Sequence, residues 1–320
     1  MYRFYSGKLR LEFYVANTQG VRLNNRIFSG RTLVVGFEGW SDSGEAASGA
    51  VRFMALQSDA DVVYSVESEE YYDFQYSRPT VSLDEDGARQ LTWPGTEFFA
   101  PNPDHLSVAS NEQLYFLVGA EPSRNWKAFV SEVTEWVLEQ GIESVIFLGS
   151  IPADTPHTRP IHIVANSQNA MVRNQHGAEK SNYQGPVGIQ TVLALEFEKN
   201  GIPTMALWAS VPHYVQNGPS PKATLALVSE LEKYTGASFE QTDLASDAFT
   251  WERNIDELAE SDEEMQGYIQ QLEESRDSAD TESISGDEIA LEFERFLATQ
   301  NENGGSKAEP STSEGTEENQ

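Results

Sequence analysis

The sequence predicts an α/β protein, a doubly wound and mostly parallel sheet followed by a C-terminal helical hairpin. Three observations carry that expectation. Short apolar runs rich in β-formers, such as Thr32 to Phe37 and Val145 to Ile151, read as strands buried on both faces, as in a parallel sheet. They alternate with stretches of helical period across short connections, the rhythm of doubly wound folds with right-handed crossovers. Beyond residue 242 the pattern becomes a heptad seam, in which Leu244, Ala248, Trp251, Ile255, Leu258, Asp262, Met265, Ile269 and Leu272 step alternately by four and three.

Residues 1 to 30 are mixed, with a short strand candidate at Leu11 to Val15 and a polar turn around Asn24 and Asn25. The strand Thr32 to Phe37 runs into Glu38-Gly39-Trp40-Ser41-Asp42-Ser43-Gly44 and an alanine-rich helix over 45 to 57. Asp42 and Glu45 give that helix a capping-box signature. Asp61 to Val66 is the next strand, continuing a βαβ rhythm. Residues 69 to 105 are an acidic, aromatic-rich excursion of loop and short strands with Tyr71, Tyr72, Phe74, Tyr76 and Arg78-Pro79, either a contact surface or a cover over the sheet. Leu114 to Val118 is a buried strand. A helix over 124 to 140 follows, apolar at Trp126, Phe129, Val130, Val133, Trp136 and Val137 and closed by Gly141.

After the strand at 145 to 151, Pro152, Pro156 and Pro160 each fix φ and remove a donor. The chain is therefore expected to leave the sheet as a stiff loop carrying Asp154, His157 and Arg159. Open α/β sheets place ligands beyond the carboxyl ends of their strands, which makes this loop the first place to look for function. Ile161 to Ala165 continues as a strand and 166 to 184 as a long polar loop ending at Gly185-Pro186. Then come a helix over 187 to 199, a strand over 203 to 209, the polar turn Pro212-His213-Tyr214, and a helix from Pro219 to Pro221 through Tyr234, closed by Gly236.

The chain divides into an α/β domain over 1 to 242, an acidic helical hairpin over 243 to 299 and a tail over 300 to 320 whose Gly, Ser, Glu and Asn have nothing to bury. An unbroken helix over the heptad run would be about 43 Å long. A polar break at 274 to 284 then precedes Ser285-Gly286-Asp287-Glu288, a capping box for a second helix apolar at Ile289, Phe293, Phe296 and Leu297. The seam could bind a partner helix in trans, but a hairpin satisfies much of it in cis and would pack against the α/β body or a neighbouring subunit.

The formal charge of -30 is uneven: 17 basic against 28 acidic side chains up to residue 242, and 4 against 23 beyond it. A phosphate backbone would be repelled, so nucleic acid is excluded as a partner. The absence of cysteine excludes disulfides, thiolate zinc sites and thiol nucleophiles, and suits a reducing compartment. Arg10 and Glu12 interrupt the apolar run Leu9 to Ala16, which is therefore no signal-peptide core, and no run of 18 apolar residues offers a membrane span. A cytoplasmic protein is expected.

Gly36, Gly39 and Gly44 match neither the dinucleotide fingerprint nor the P-loop, and Glu38 and Asp42 would repel phosphate. They are read as turn glycines, with Asp42 as a helix cap, and ATP binding is not expected. His157, Arg159, His213 and Asp42 admit two readings. Converging, they would supply a base, an anion clamp and an orienting carboxylate; separate, the histidines and Arg159 would hydrogen-bond carbonyls that the prolines leave without ladder partners. His157 and His162 straddle a proline and fit no common metal spacing, and Gly149-Ser150-Ile151 is no nucleophile elbow.

The runs Glu38 to Ala47, Arg78-Pro79-Thr80, Gly119-Ala120-Glu121-Pro122 with Arg124 and Trp126, Ile151-Pro152 through Pro156-His157-Thr158-Arg159-Pro160, and Val211-Pro212-His213-Tyr214 together resemble the proteasome assembly chaperone family, in its actinobacterial-type bacterial branch, over residues 30 to 300. The resemblance implies a nucleoside phosphorylase-like sheet, a helical C-terminal appendage and self-association. Archaeal and eukaryotic members dock on the proteasome through a C-terminal hydrophobic-Tyr-any tripeptide. This sequence ends Glu318-Asn319-Gln320, so docking by that route is not expected.

The expectation is a non-catalytic, self-associating protein of the assembly-chaperone type, with itself (a trimer favoured) and a larger protein assembly as partners and with no cofactor or metal. The alternative is a small-molecule enzyme, carboxylate-amine ligase-like or nucleoside-processing, that uses the strand-end cleft. Candidate interface or cleft residues are Glu38, Trp40, Asp42, Arg78, Asp154, His157, Arg159, His213 and Tyr214, with Arg159 as an interface anchor.

Overall fold

The structure, a computed structural model, describes residues 27–66, 69–84, 86–102, 113–215 and 218–279. The strand candidate at Leu11 to Val15, the second hairpin helix at 285 to 298 and the tail lie outside the described residues. Among the described residues, nine strands and seven α-helices run in the order β1 (Thr32–Glu38), α1 (Ala46–Gln57), β2 (Asp61–Val66), β3 (Thr80–Leu83), β4 (Arg89–Thr92), β5 (Thr96–Ala100), β6 (Leu114–Ala120), α2 (Trp126–Glu139), β7 (Ser144–Ala153), β8 (Ile163–Asn166), α3 (Ala170–His176), α4 (Ile189–Lys199), β9 (Thr204–Pro212), α5 (Pro221–Thr235), α6 (Thr242–Glu260) and α7 (Glu263–Ala279).

Seven strands form one sheet in the order β2-β5-β6-β1-β7-β9-β8. The central four, β6-β1-β7-β9, are parallel, and antiparallel strands flank them. Strand β7 is buried along its whole length because layers cover both faces of the sheet. On one face, Val34, Ile146, Leu148 and Leu207 pack with Ala47, Val51 and Met54 of α1 and with Leu227 and Leu231 of α5. On the other, Leu33, Val35 and Phe147 meet Phe129 and Val133 of α2 and Leu193 and Phe197 of α4. Alternate residues of each strand therefore serve opposite cores, which is why the strands read as continuous apolar runs. Gly36 serves close approach rather than a turn: a Cβ there would lie 2.9 Å from the Ala47 carbonyl oxygen, so glycine lets α1 settle onto β1.

Several expectations are corrected. Strand β2 does not continue a parallel βαβ unit. It pairs antiparallel with β5 at the outer edge of the sheet, and the excursion after it returns the chain through β5 beside β6. The polar segment after β8 holds a seven-residue helix, α3, capped by Asn169, whose side chain accepts from the Met171 and Val172 amides. Val172 is its one buried residue, too little apolar periodicity for the sequence to declare a helix.

The heptad run is likewise not one helix. It breaks at Ser261-Asp262, where the Asp262 carboxylate accepts from the Glu264 and Met265 amides at 3.0 and 3.1 Å and starts α7. The one polar position of the seam is thus a cap, and the expected polar break at 274 remains helical through Ala279. The seam also drifts before the break: Leu258 is 65% exposed, whereas Ala259 is buried. Ile269→Ala is therefore expected to lower stability by about 2–4 kcal/mol, and Leu258→Ala by less than about 0.5 kcal/mol, in urea titrations. Among the described residues no helix is long and apolar enough to cross a membrane.

Candidate functional site

The polar loop beyond β7 is built on a strand that outlasts its neighbour. Contrary to the sequence reading, Pro152 and Ala153 belong to β7, in register with Val211 and Pro212 of β9. A proline is tolerated because β1 has already ended at Glu38 on the other side. The Ser150 amide donates to the Ser41 carbonyl on that side at 2.8 Å, and Pro152, two residues on, turns its donorless nitrogen the same way. Strand β9 likewise runs through Pro212, so His213 and Tyr214 emerge beside Asp154.

From there the loop docks on the helical pair. The His157 imidazole is completely buried. Its amide donates to the Tyr214 hydroxyl at 2.8 Å, Nδ1 lies 2.8 Å from the same oxygen, and Nε2 lies 3.0 Å from Asp256 Oδ1 on α6. In a neutral ring the phenolic O–H would donate to Nδ1 and Nε2–H to the carboxylate, so both ring nitrogens have a partner. The Lys222 ammonium, on the first turn of α5, donates to the His157 carbonyl and pairs with Glu252 on α6. The Arg159 fork grips Asp277 through Nε and Nη2, both at 2.8 Å, and Nη1 reaches Glu273 at 3.2 Å. The Thr158 hydroxyl donates to Glu273 as well. His213 Nδ1 lies 3.1 Å from Asp154 Oδ1, and its ring meets those of Tyr214 and Tyr268 edge-on.

Asp154, His157, Arg159, His213 and Tyr214 therefore come together, but as a clasp between the α/β body and α6–α7. Arg159, expected as an interface anchor, is engaged within the chain by two carboxylates. Both ring nitrogens of His157 are occupied by neighbours, which leaves neither placed to take a substrate proton. Sequence reasoning missed the clasp's other half, Lys222, Glu252, Asp256, Tyr268, Glu273 and Asp277. A signal was present: Glu252 with Asp256 and Glu273 with Asp277 are each four residues apart, which sets each pair on one face of its helix.

Asp42 does not join the histidines. It is buried in the turn after β1, where Gly39 and Gly44 adopt the positive φ that the chain reversal requires. Its Oδ1 accepts from the Ala47 and Ser48 amides at 2.8 and 3.0 Å, and Oδ2 accepts from the Ser48 hydroxyl at 2.5 Å. The expected capping box is not formed, because Glu45 takes a left-handed conformation at the N-cap and Asp42 reaches over it to the first amides of α1. Burial raises the carboxyl above its ordinary pKa, against the pull of those hydrogen bonds. Glu38 pairs with Arg52 of α1. Trp40 is half exposed at the mouth of a cavity under α4, and Arg78 stands exposed ahead of β3.

Several phenols share the clasp's dryness. Burial, first of all, pushes Tyr71, Tyr72, Tyr214 and Tyr234 to about 12, and a hydrogen bond to Glu132, ahead of burial, does the same for Tyr64. A folded pKa above the unfolded value of about 10 means stability is intact below that pH and is lost as pH rises toward 12. Absorbance at 295 nm is expected to show these tyrosines resisting ionisation until above pH 11, with unfolding and tyrosinate formation coinciding thereafter.

The excursion after β2 supplies a surface of another kind. Strands β3 and β4 form a two-stranded sheet of their own, with every residue exposed. Val81 pairs with Leu91 and Leu83 with Arg89, and the period of two sets Val81, Leu83, Leu91 and Trp93 on one face, each 50 to 68% exposed, together with Arg89, and with Thr80, Ser82, Gln90 and Thr92 on the other; the Trp93 ring also lies 4.8 Å from that of Phe74.

Comparison with known proteins places this architecture. The model of the PAC2 family matches residues 36–259. A PAC2 family protein from Streptomyces avermitilis is 37% identical, with 74% of this chain and 99% of that chain covered and a TM-score of 0.66. A proteasome-assembly chaperone homologue from Mycobacterium tuberculosis is 34% identical over the same shares, with a TM-score of 0.65. A second M. tuberculosis protein, of unknown function, is 27% identical over 85% of this chain and 90% of its own, with a TM-score of 0.73. A search of curated proteins finds no match. The family match covers more than half of the chain, and with two relatives above 30% identity it establishes that the chain belongs to the PAC2 family.

Proposed function

We propose that this protein is a non-catalytic, cytoplasmic assembly factor of the proteasome-assembly-chaperone type that associates with itself and acts on a larger protein assembly by surface contact. The observation that carries the reading is the β3–β4 hairpin. A lone two-stranded sheet is marginal in water unless something covers its apolar face. Here Val81, Leu83 and Leu91 form such a face with no layer over it among the described residues. A second copy of this chain is the occupant favoured, because the assembly-chaperone resemblance implies self-association and the hairpin presents the same face on every copy. The clasp supports the same reading, since its histidines and Arg159 hold helices rather than a substrate.

The test is light scattering on the full chain. The wild type is expected at a multiple of its 35.6 kDa mass, a trimer foremost, and Leu83→Lys combined with Leu91→Lys at one chain mass with an unchanged circular dichroism spectrum. A monomeric wild type at tens of micromolar, or a double variant that keeps the wild-type mass, rejects the proposal.

A further inference from the structure

The two helices of the C-terminal pair are held to the body unequally. Helix α6 joins the core, where Leu244 belongs to the same apolar layer as α5. Helix α7 does not: its buried aliphatic side chains, Ile269 and Leu272, lie outside both core layers of the sheet. Its grip is the polar loop. Thr158 and Arg159 engage Glu273, Arg159 also holds Asp277, and the Tyr268 ring meets His213 and Tyr214 edge-on. Two carboxylates one helical turn apart and a phenol ring are what this surface recognises, and every copy of the chain carries them.

The turn that folds α7 back is short. Helical order fails only at Ser261 and Asp262. Ser261 stays in the right-handed region at φ −87° and ψ −4°, and the Gln266 amide already donates to the Asp262 carbonyl at 3.0 Å with the spacing of an α-helix. The apolar steps of four and three run through this turn without a shift, from Trp251 and Leu258 to Met265, Ile269 and Leu272. The same sequence therefore suits one helix from Thr242 to Ala279, about 57 Å long. Leu258 occupies a seam position yet is exposed in the folded-back form. A short turn between an element and its own docking surface is the setting in which identical copies exchange that element, because the contacts are remade unchanged and only the turn differs.

We propose that two copies of this chain exchange α7: the turn at Ser261 and Asp262 straightens, and α7 of each copy docks on the loop from Asp154 to Arg159 of the other. The contacts of Thr158, Arg159 and His213 with α7 are kept, now between copies, and the straightened seams bring Leu258 and Met265 together about a twofold axis. The Asp262 carboxylate opposes the exchange, since it accepts from the Glu264 and Met265 amides only where the chain turns. A dilute chain stays closed, and exchange belongs to concentrated copies. This contact does not involve the hairpin.

Charge reversal on the two sides of the contact tests it, in the full chain that also carries Leu83→Lys and Leu91→Lys. The mass of that background chain, measured first, reports on the hairpin separately. One variant adds Arg159→Glu, the other Glu273→Arg with Asp277→Arg. Each alone sets like charges on loop and helix, whether α7 folds back or is exchanged, and is expected at the 35.6 kDa of one chain. Mixed, the two satisfy both loops only by exchange, and native mass spectrometry is expected to show a pair of one chain of each kind. A mixture that stays at one chain mass, or a variant that associates alone as readily as in the mixture, overturns the proposal. Should a reversal fail to fold, Asp262→Leu removes the cap and completes the seam, and is expected at twice the chain mass in the same background. Adding Glu263→Pro, a residue accepted at the first position of α7 but not within a continuous helix, is expected to restore one chain mass. Asp262→Leu at one chain mass, or association that survives Glu263→Pro, overturns the proposal as well.

Discussion

Asp42→Ala is expected to lower the stability of the fold by about 3–5 kcal/mol, because it strips three buried donors of their acceptor at once. The Ala47 and Ser48 amides and the Ser48 hydroxyl all donate to this carboxylate, and the turn it closes also carries the Ser41 carbonyl that receives the Ser150 amide. Urea titration reads the loss. Asp42→Asn keeps an oxygen for the two amides and is expected to recover part of it. The pH dependence separates the two variants further. The folded pKa of Asp42 is raised by burial, so the stability linked to its protonation is fully present below the ordinary carboxyl pKa and is lost as pH rises through the folded one. The advantage of the wild type over the non-titrating Asn variant is therefore expected to widen as pH falls toward 4. A constant gap would mean that the carboxyl's pKa is the same folded and unfolded.

His157→Ala is the second large effect, expected at about 2–4 kcal/mol. The substitution empties a fully buried position and leaves the Tyr214 hydroxyl and the Asp256 carboxylate without the ring between them. Because the clasp holds α6 and α7, hydrogen exchange should quicken across both helices while the central strands β1 and β7 keep their protection. His157→Gln retains a donor toward Asp256 and is expected to lose less. Arg159→Ala should cost less than either histidine variant, since Asp277 is half exposed and the pair is screened by solvent. Uniformly faster exchange in His157→Ala would show that the histidine supports the whole sheet rather than the clasp.

The central sheet was legible because its strands are buried on both faces, so Thr32 to Phe37 and Val145 to Ile151 announce themselves without knowledge of their neighbours. The helices closed by Gly141 and Gly236 were legible for a local reason too, each glycine taking the positive φ of a helix end. What escaped depended on contacts distant in sequence. Pro152 reads as a strand breaker, and only the early end of β1 explains why β7 continues through it. Asp262 reads as a flaw in a heptad, and becomes a cap only where the chain actually turns. His157 and Arg159 were found as polar residues in a braced loop. Their meaning lay about 100 residues away on α6 and α7, beyond the reach of any local pattern.

Hydrogen exchange at increasing protein concentration decides whether the exposed β3–β4 hairpin is where this chain meets another copy of itself. As mass rises above that of one chain, slowed exchange is expected over Thr80–Leu83 and Arg89–Thr92, with the clasp and the central strands unchanged. Rising mass with exchange in the hairpin unaltered, and protection appearing elsewhere instead, would contradict it.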